Sequence, residues 1–172
     1  MPTLQFDGKK TPSAVAARQA WMRLLSRAPV EILEPALSAL AGSCPQWLRV
    51  PETGLIMAQG RVGGTGARFN LGEVAVTRCA LRTDPAVVDC NAVGVAYVLG
   101  RSHRQAELAA TADALLQDPA CRKLLAPDFL RQIEDWLAAC RVARAGKARA
   151  TKVEFFTVAR EAGAVDTVED DE

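Results

Sequence analysis

The sequence predicts an α+β fold with an N-terminal helical pair, an antiparallel sheet of three to four strands, and C-terminal helices. Apolar residues recur at helical spacing in the N-terminal and C-terminal parts of the chain. The segment from Trp47 to Gly100 instead consists of short, valine-rich runs separated by Pro, Gly and Asp. Successive strands with short connections favour an antiparallel meander over βαβ units.

The two N-terminal helices are predicted from capping signals and periodicity. Thr11 can cap the first helix, in TPSAVAARQAWMRLLSRA, and Pro12 suits its first turn. The second helix, VEILEPALSALAG, places a leucine at every third or fourth position. Pro35 marks either its first turn or a break. Both helices are expected to turn their apolar faces toward the core.

The central strands are predicted at LRV, GLIMAQGRV, EVAVTRCALR and AVGVAYVL. The turn chemistry of VPETGL and TDPAVVDCN predicts connections between them. The last run alternates larger and smaller side chains, with Gly94 among the smaller ones. It is therefore predicted to be an inner strand whose small face allows a helix to pack closely.

The chain returns to helix after this strand. Ser102 with Gln105 three residues later is a capping box. A further helix is predicted over APDFLRQIEDWLAACRVARAGKARA, and the basic run at its end is interpreted as a solvated face. KVEFFTVAR has β-type composition, so a late strand or docking segment is predicted near Val153 to Val158.

The length and composition of the chain indicate one domain over residues 11–161. It is preceded by a flexible lead-in, 1–10, and followed by an acidic disordered tail, 162–172. The net charge of +1 provides no general attraction to nucleic acid or to an anionic membrane. Neither a signal peptide nor a membrane-spanning run is apparent. We therefore expect a cytoplasmic protein without nucleic-acid or membrane partners.

The five cysteines are scattered, and His103 is the single histidine. Structural metal sites use Cys and His ligands in short-spaced pairs, so no metal site is expected in this chain. Most of the cysteines are interpreted as reduced, small buried hydrophobes. No Ser-His-Asp or Cys-His arrangement is visible, and the sequence thus predicts no complete active site.

The stretch RVGGTGARFNLGE, residues 61–73, is the first candidate site. It lacks the lysine of a P-loop, and Phe69 occupies the last glycine position of a dinucleotide fingerprint. Its glycines can still adopt positive φ and form an anion-binding nest; they are Gly63, Gly64 and Gly66. The arginines that can add bidentate donors are Arg61, Arg68 and Arg78. A plain connection between two strands is the preferred interpretation.

The second candidate site is the junction at which a strand ends at Gly100 and a capped helix begins. Arg101, His103 and a further arginine crowd this helix N-terminus, where positive side chains are locally unfavourable. Solvent, a bound anion or an acidic partner must compensate them. Glu107 and Asp113 can bridge the arginines or meet a partner. His103 is a weak candidate acid or base, with an exposed surface role preferred.

Taken together, these motifs resemble the PhnG family. GGTG-x-x-F-x-x-G is followed by Y-V-x-G-R-x-x-x-x-A-E, and the resemblance extends from Arg18 to Glu161. The stretches that carry it are RQAWMRLL, PETGLIMAQGRVGGTGARFNLGE, VTRCALR, VGVAYVLGRSHRQAELAATADALLQ and TKVEFFTVARE. The DCNA stretch departs from the family's usual turn.

The resemblance implies a subunit of the bacterial carbon–phosphorus lyase core complex. Such a subunit works with PhnI, PhnH and PhnL to transfer the ribose triphosphate of ATP onto an alkylphosphonate such as methylphosphonate, with release of adenine. PhnI is the implied nearest partner, alongside PhnH, PhnJ and ATPase subunits of the PhnL or PhnK type. MgATP is a substrate of the complex, and the iron–sulfur cluster and S-adenosylmethionine belong to a partner subunit. No cofactor is expected on this chain alone.

Three hypotheses remain open at this point. The chain is an accessory subunit whose glycine-rich loop braces PhnI or lines the path of the triphosphate. Alternatively, Arg61, Arg68 or Arg101 contacts the triphosphate or the phosphonate directly. The third hypothesis is a stand-alone anion- or nucleotide-binding module.

Overall fold

The computed structural model describes residues 14–38, 45–83 and 92–153, and its α+β architecture confirms the predicted fold class. The regular elements are α1 (Ala14–Leu25), α2 (Val30–Ser38), β1 (Gln46–Arg61), β2 (Arg68–Arg82), β3 (Val93–Leu99), α3 (His103–Gln117), α4 (Pro119–Leu125) and α5 (Arg131–Ala150). A 3₁₀ turn, Val62–Gly64, follows β1, and a π-helical turn, Ala126–Leu130, joins α4 to α5. None of the described helices is long and apolar enough to cross a membrane.

The three strands form an antiparallel sheet in the order β1-β2-β3, and α3 covers one of its faces. The small-residue face predicted for β3 is confirmed by the packing at Gly94. A Cβ atom at this position would lie 1.9 Å from the carbonyl oxygen of Ala110 in α3. The α3 backbone therefore rests directly on the strand, and the core is built around this contact.

The prediction that β3 is an inner strand is wrong, because β3 lies at an edge of the sheet formed by the described residues. Helix side chains cap part of that edge. The carbonyl oxygen of Val93 accepts hydrogen bonds from Arg18 and Gln117, and the Val95 N–H donates to Asp113. These side-chain partners replace the neighbouring strand that an apolar run normally requires.

The predicted connection at VPETGL is also wrong, since these residues lie within β1. The pairing shifts between Arg49 and Glu52, so that Val50 and Pro51 occupy a bulge. Proline is tolerated there because β1 is an edge strand and a bulge needs no ladder hydrogen bond at that position. The two predicted strands are thus one strand of 16 residues.

The helices differ from the prediction in three details. Pro35 lies inside α2, where it marks neither the first turn nor a break, and the buried Leu33 and Leu37 hold the helix to the core on both sides of it. The single C-terminal helix predicted from Ala126 begins instead with a π-helical turn containing Pro127, whose missing N–H breaks the α-helical ladder. α4 was not predicted.

Several predicted features fall outside the described residues: the Thr11 cap with Pro12, the TDPAVVDCN connection, most of the late strand near Val153 to Val158, and both terminal segments.

Candidate functional site

The most prominent feature is a two-stranded hairpin that extends beyond the layer of helices. We call residues 55–74, which include the distal parts of β1 and β2, the arm. No residue from Leu55 to Glu73 is buried. Seven residues from Leu55 to Arg61 span roughly 20 Å at about 3.3 Å per residue. The glycine-rich stretch singled out in the sequence therefore forms the outer end of a long projection.

The two faces of the arm differ in chemistry. Directly paired residues share a face, and side chains alternate along each strand. Pairing of Ile56 with Val74 and of Gly60 with Phe69 defines an apolar face. Leu71 belongs to the same face because its side chain covers Gly60, approaching within 2.9 Å of the position a Cβ atom would occupy. This apolar face remains largely open to solvent.

The opposite face of the arm is mainly polar. Its cross-strand pairs are Met57 with Glu73, Gln59 with Asn70, and Arg61 with Arg68, and the exposed Leu55 lies on the same side at the base. The Gln59 amide donates a hydrogen bond to Asn70 at 3.1 Å. The outer part of the arm, from Gln59 to Asn70, is consequently a ribbon with one apolar side and one polar side, and neither side is buried against the helices.

The apolar face of the arm continues onto the face of the sheet that α3 leaves uncovered. Val76 pairs with Leu99, and both lie on this side, as does Tyr97. Leu99 is 72% exposed and Tyr97 is 55% exposed. We call the combined surface the open apolar face. Its exposed large side chains are Ile56, Phe69, Leu71, Tyr97 and Leu99, whereas Val74 is half-buried and Val76 is buried.

The tip of the arm is a tight turn held by its own backbone and by Arg61. Gly63 and Gly64 have φ of 56° and 80°, values that favour glycine. The Gly66 N–H donates to the Val62 carbonyl at 2.9 Å, and Arg61 donates to the Gly66 carbonyl at 3.1 Å. One N–H group and one guanidinium of the candidate anion nest are thus already engaged in forming the turn.

Arg78 lies at the base of the arm, within an exposed cluster on the open side of the sheet. Its Nε donates to Glu52 at 2.8 Å, and Arg49 donates to the same carboxylate oxygen at 2.5 Å. These hydrogen bonds, first from Arg49 and then from Arg78, lower the pKa of Glu52. Arg78 therefore has an acidic partner within the chain.

At the β3–α3 junction, a hydrogen-bonded chain joins His103 to the sheet. Gly100, with φ of 105°, donates its N–H to the Ala75 carbonyl at 2.8 Å. The Thr77 hydroxyl donates to the Gly100 carbonyl at 2.8 Å and lies 3.0 Å from the Thr53 hydroxyl, which is 3.1 Å from His103 Nε2. Helix α3 is thereby tied to both β1 and β2.

Counting the available protons fixes which group donates in each hydrogen bond between His103 and Gly100. Because a carbonyl oxygen only accepts, the Thr77 proton points to Gly100, and Thr53 must donate to Thr77. Nε2 of His103 then has to donate to Thr53, so it carries the proton. Nδ1 of the neutral ring is left as the acceptor nitrogen.

Of the positive side chains at the start of α3, Arg104 is compensated by acidic side chains of this chain. Ser102 caps the helix by accepting from the Gln105 N–H, whereas the Gln105 side chain donates to Ala28 and leaves the reciprocal half of the capping box unformed. Arg104 pairs with Glu34 at 2.6 Å and with Glu107 at 3.1 Å, and these contacts, Glu34 first, raise its pKa. Arg101 is exposed.

The candidate residues therefore occupy three separate places. Those at the tip are Arg61, Gly63, Gly64, Gly66 and Arg68. Arg78 lies at the base of the arm, and the junction contains Gly100, Arg101, His103 and Glu107. Arg61 is eight positions along β1 from Thr53, the contact of His103, which corresponds to roughly 25 Å of extended strand. The tip and the junction do not converge on one small ligand.

Asp113 is the important polar residue whose role the sequence reasoning missed. It is fully buried in α3 and accepts hydrogen bonds from Arg18, Trp21 and the Val95 N–H. The sequence indicates that Asp113, like Glu107, bridges the arginines at the start of the helix or meets a partner, and it does neither among the nearby arginines because it is buried. Its spacing from Ala106, Ala109 and Ala110 places it on the buried side of α3, and that periodicity was the available signal.

Within the part of the chain that the structure describes, no three His, Cys, Asp or Glu side chains are grouped so that they could hold a metal ion. The described cysteines, Cys79, Cys121 and Cys140, lie on β2, α4 and α5. The buried interpretation is confirmed for Cys79, which is 1% exposed and whose thiol donates to the Ala106 carbonyl, but not for Cys121 and Cys140, which are only partly buried. Burial raises the pKa of this thiol to about 11.

Comparison with known proteins agrees with the resemblance found in the sequence. Residues 16–161 match the family described as "Phosphonate metabolism protein PhnG". A protein of Rhizobium meliloti (strain 1021), named "Alpha-D-ribose 1-methylphosphonate 5-triphosphate synthase subunit PhnG", is 38% identical over 159 residues, covering 90% of this chain and 97% of the relative. The family match includes the arm, its tip and the β3–α3 junction. The chain therefore belongs to the PhnG family of phosphonate metabolism proteins.

Proposed function

We propose that this chain is an accessory subunit of α-D-ribose 1-methylphosphonate 5-triphosphate synthase. It works with PhnI, PhnH and PhnL in the transfer of the ribose triphosphate of ATP onto an alkylphosphonate such as methylphosphonate, with release of adenine. Its partners are PhnI, as the nearest one, PhnH, PhnJ and ATPase subunits of the PhnL or PhnK type. The assembly operates in the cytoplasm. The name of the similar Rhizobium protein supports this proposal.

The observation that carries the proposal is the open apolar face. Ile56, Leu71 and Leu99 are 52%, 65% and 72% exposed, and they lie on the same side of the sheet and arm. Soluble monomers rarely expose large contiguous apolar patches, because covering them removes apolar area from water. Full burial of one large apolar side chain is worth roughly 1.5–3 kcal/mol. A partner that covers this face therefore gains substantial association energy before the entropic costs of binding.

The side chains of the arm and the junction suit a supporting role better than the reaction itself. His103 is hydrogen-bonded to Thr53, which is bonded in turn to Thr77, and no described carboxylate is hydrogen-bonded to the ring. MgATP enters as a substrate of the whole complex. The iron–sulfur cluster and S-adenosylmethionine belong to a radical subunit; the described cysteines do not fit such a cluster because they lie on separate elements.

The test compares two substitutions at neighbouring positions of β2. Leu71→Asp adds a carboxylate to the open apolar face, whereas Asn70→Asp adds one to the polar face of the arm. The full-length variants are co-expressed with the other synthase subunits of the same organism, and one partner is tagged. Leu71→Asp should lose co-purification and adenine release, and Asn70→Asp should retain both. Normal assembly by Leu71→Asp, or undiminished adenine release without this chain, would refute the proposal.

A second candidate role is direct contact with the substrate's anionic groups, and the pairing of Arg61 with Arg68 favours it. These arginines are directly opposed across the arm, an arrangement that is unfavourable for like charges unless an anion lies between them. Neither forms an ion pair within the described residues. Replacing Arg61, Arg68 or Arg101 with Ala should then reduce adenine release while the assembly stays intact. Loss of assembly would assign that arginine to the subunit interface.

A further inference from the structure

The distal half of α5 projects from the body of the protein. Ile133, near the start of the helix, is buried, but every residue from Arg141 to Ala150 is exposed. Ten residues at 1.5 Å each extend roughly 15 Å. This segment, which we call the α5 extension, has no face that is packed against the rest of the described chain.

The α5 extension carries only positive charges. No acidic residue occurs between Asp135 and Thr151, while the extension contains Arg141, Arg144, Lys147 and Arg149. The first three recur at every third position and form a stripe roughly 120° wide on one side of the helix. Arg149 lies on another side, about 160° around the axis from Lys147. We call the first three residues the basic stripe.

Two features weaken the extension as a solitary helix, although most of its residues are Ala, Arg or Lys and favour helix. Like charges at a spacing of three residues repel each other, and Gly146 lowers helix propensity in the middle of the segment. None of the four cations forms an ion pair among the described residues. The favourable interaction of Lys147 and Arg149 with the helix C-terminus acts only over the last turn. A complementary acidic surface would relieve the repulsion along the whole stripe.

The surrounding chemistry favours an acidic protein over the other anionic partners. A membrane-surface helix needs several large apolar residues beside its cations, yet Val142 is the only one in the extension. A nucleic-acid binder usually carries a strongly basic domain, but this chain has a net charge of +1. We propose that the basic stripe docks on an acidic surface of a partner subunit of the synthase. This inference rests on the proposed function.

The experiment compares two double charge reversals with equal changes in net charge. Arg141→Glu with Arg144→Glu reverses two of the three charges of the basic stripe. Lys123→Glu with Arg149→Glu is the control, because Lys123 is exposed on α4 and Arg149 lies off the stripe. Each full-length variant is co-expressed with the other synthase subunits, captured through a tagged partner, and washed with NaCl rising from about 0.05 to 0.5 M, a range over which surface electrostatics are progressively screened.

The stripe variant should dissociate at a several-fold lower NaCl concentration than the wild type, and the control should behave like the wild type. Circular dichroism of each purified chain checks that the fold is retained. Equal salt resistance of the stripe variant and the wild type would overturn the inference while leaving the proposed function intact. Failure of the wild type to capture any subunit would overturn both. Binding of a DNA duplex, or of vesicles with anionic lipid, that is lost only in the stripe variant would identify a different partner and also overturn it.

Discussion

Arg18 in α1 donates two hydrogen bonds to the buried carboxylate of Asp113 in α3, a residue 95 positions later in the chain. The same carboxylate accepts from the Trp21 indole at 2.9 Å and from the Val95 N–H at 3.0 Å. The Asp113 side chain therefore links α1 and β3 to its own helix, α3. Because the carboxylate is fully buried, water cannot easily replace it as the acceptor for the Trp21 indole.

We predict that Asp113→Ala is strongly destabilising. It leaves the Trp21 indole and the Val95 N–H without their acceptor, at a cost of about 1–3 kcal/mol for each buried donor. Arg18 contributes less to the loss, because its side chain is 36% exposed and can be hydrated. Urea unfolding followed by circular dichroism measures the change in the free energy of unfolding. Glu107→Ala is the control on the same helix, since its ion pair with Arg104 is partly exposed and should contribute no more than about 1 kcal/mol. Equal effects of the two substitutions would contradict a central role for Asp113.

Gly94→Ala is predicted to disturb the contact between α3 and β3. The new methyl group would lie 1.9 Å from a backbone oxygen, so one of the two elements must move. Overpacking of this kind typically costs about 1–3 kcal/mol and occasionally more. Gly54→Ala is a matched strand control, because no atom lies within 4 Å of its Cβ position. A thermal melt should show a lower Tm only for the Gly94 variant, and an unchanged Tm there would contradict the close packing.

The neutral ring of His103 is predicted to exist mainly as the Nε2–H tautomer. The hydrogen-bond order through Thr53 and Thr77 leaves Nε2 no other role. Long-range ¹H–¹⁵N NMR distinguishes the two ring nitrogens. Thr53→Val should shift the tautomer population, whereas Thr111→Val should not, since the Thr111 hydroxyl donates within its own helix. A dominant Nδ1–H form in the wild type would show that the proton order is different.

Cys79 should make stability fall at alkaline pH. Burial, followed by the nearby charge of Glu107, raises the thiol pKa from 9.0 to about 11 in the folded protein. The folded state therefore resists losing the proton, and this contribution to stability is lost as the pH rises from about 9 to about 11. The slope is at most about 1.4 kcal/mol per pH unit.

Urea unfolding of the wild type and of Cys79→Ala across this pH range tests the assignment. Other groups titrate in both proteins, so the difference between the two curves reports on the thiol. The variant should lose less stability over this interval. If the free energy of unfolding fell equally with pH in the wild type and in Cys79→Ala, another group would be the cause of the loss of stability.

The sequence predicted the classes and order of most elements because their periodicity is local. It did not reveal the arm, since the β-bulge at Leu71 changes which side each residue faces. Phe69 and Leu71 share a face with Val74 only because an extra residue interrupts the alternation between them. A simple period of two would place Val74 on the other side of the ribbon.

The candidate residues were identified by type, but their separation could not be predicted. Arg61 and Arg101 have the same chemistry in the sequence, and only the length of β1 places them at opposite ends of the arm. The burial of Asp113 was difficult to predict for a related reason. Its identity suggests a surface position, and its burial depends on Arg18 and Trp21, which come from a distant helix.

The arm affects the order in which parts of this protein fold during translation. All pairings between β1 and β2 lie between Gln46 and Arg82, close to the middle of the 172-residue chain. Hairpins with such local pairings form rapidly, whereas the Arg18–Asp113 contact must wait until α3 has been made. We therefore expect the arm to leave the ribosome already paired, ahead of the helix that completes the core. A partner could engage its apolar side while the second half of the polypeptide is still being translated.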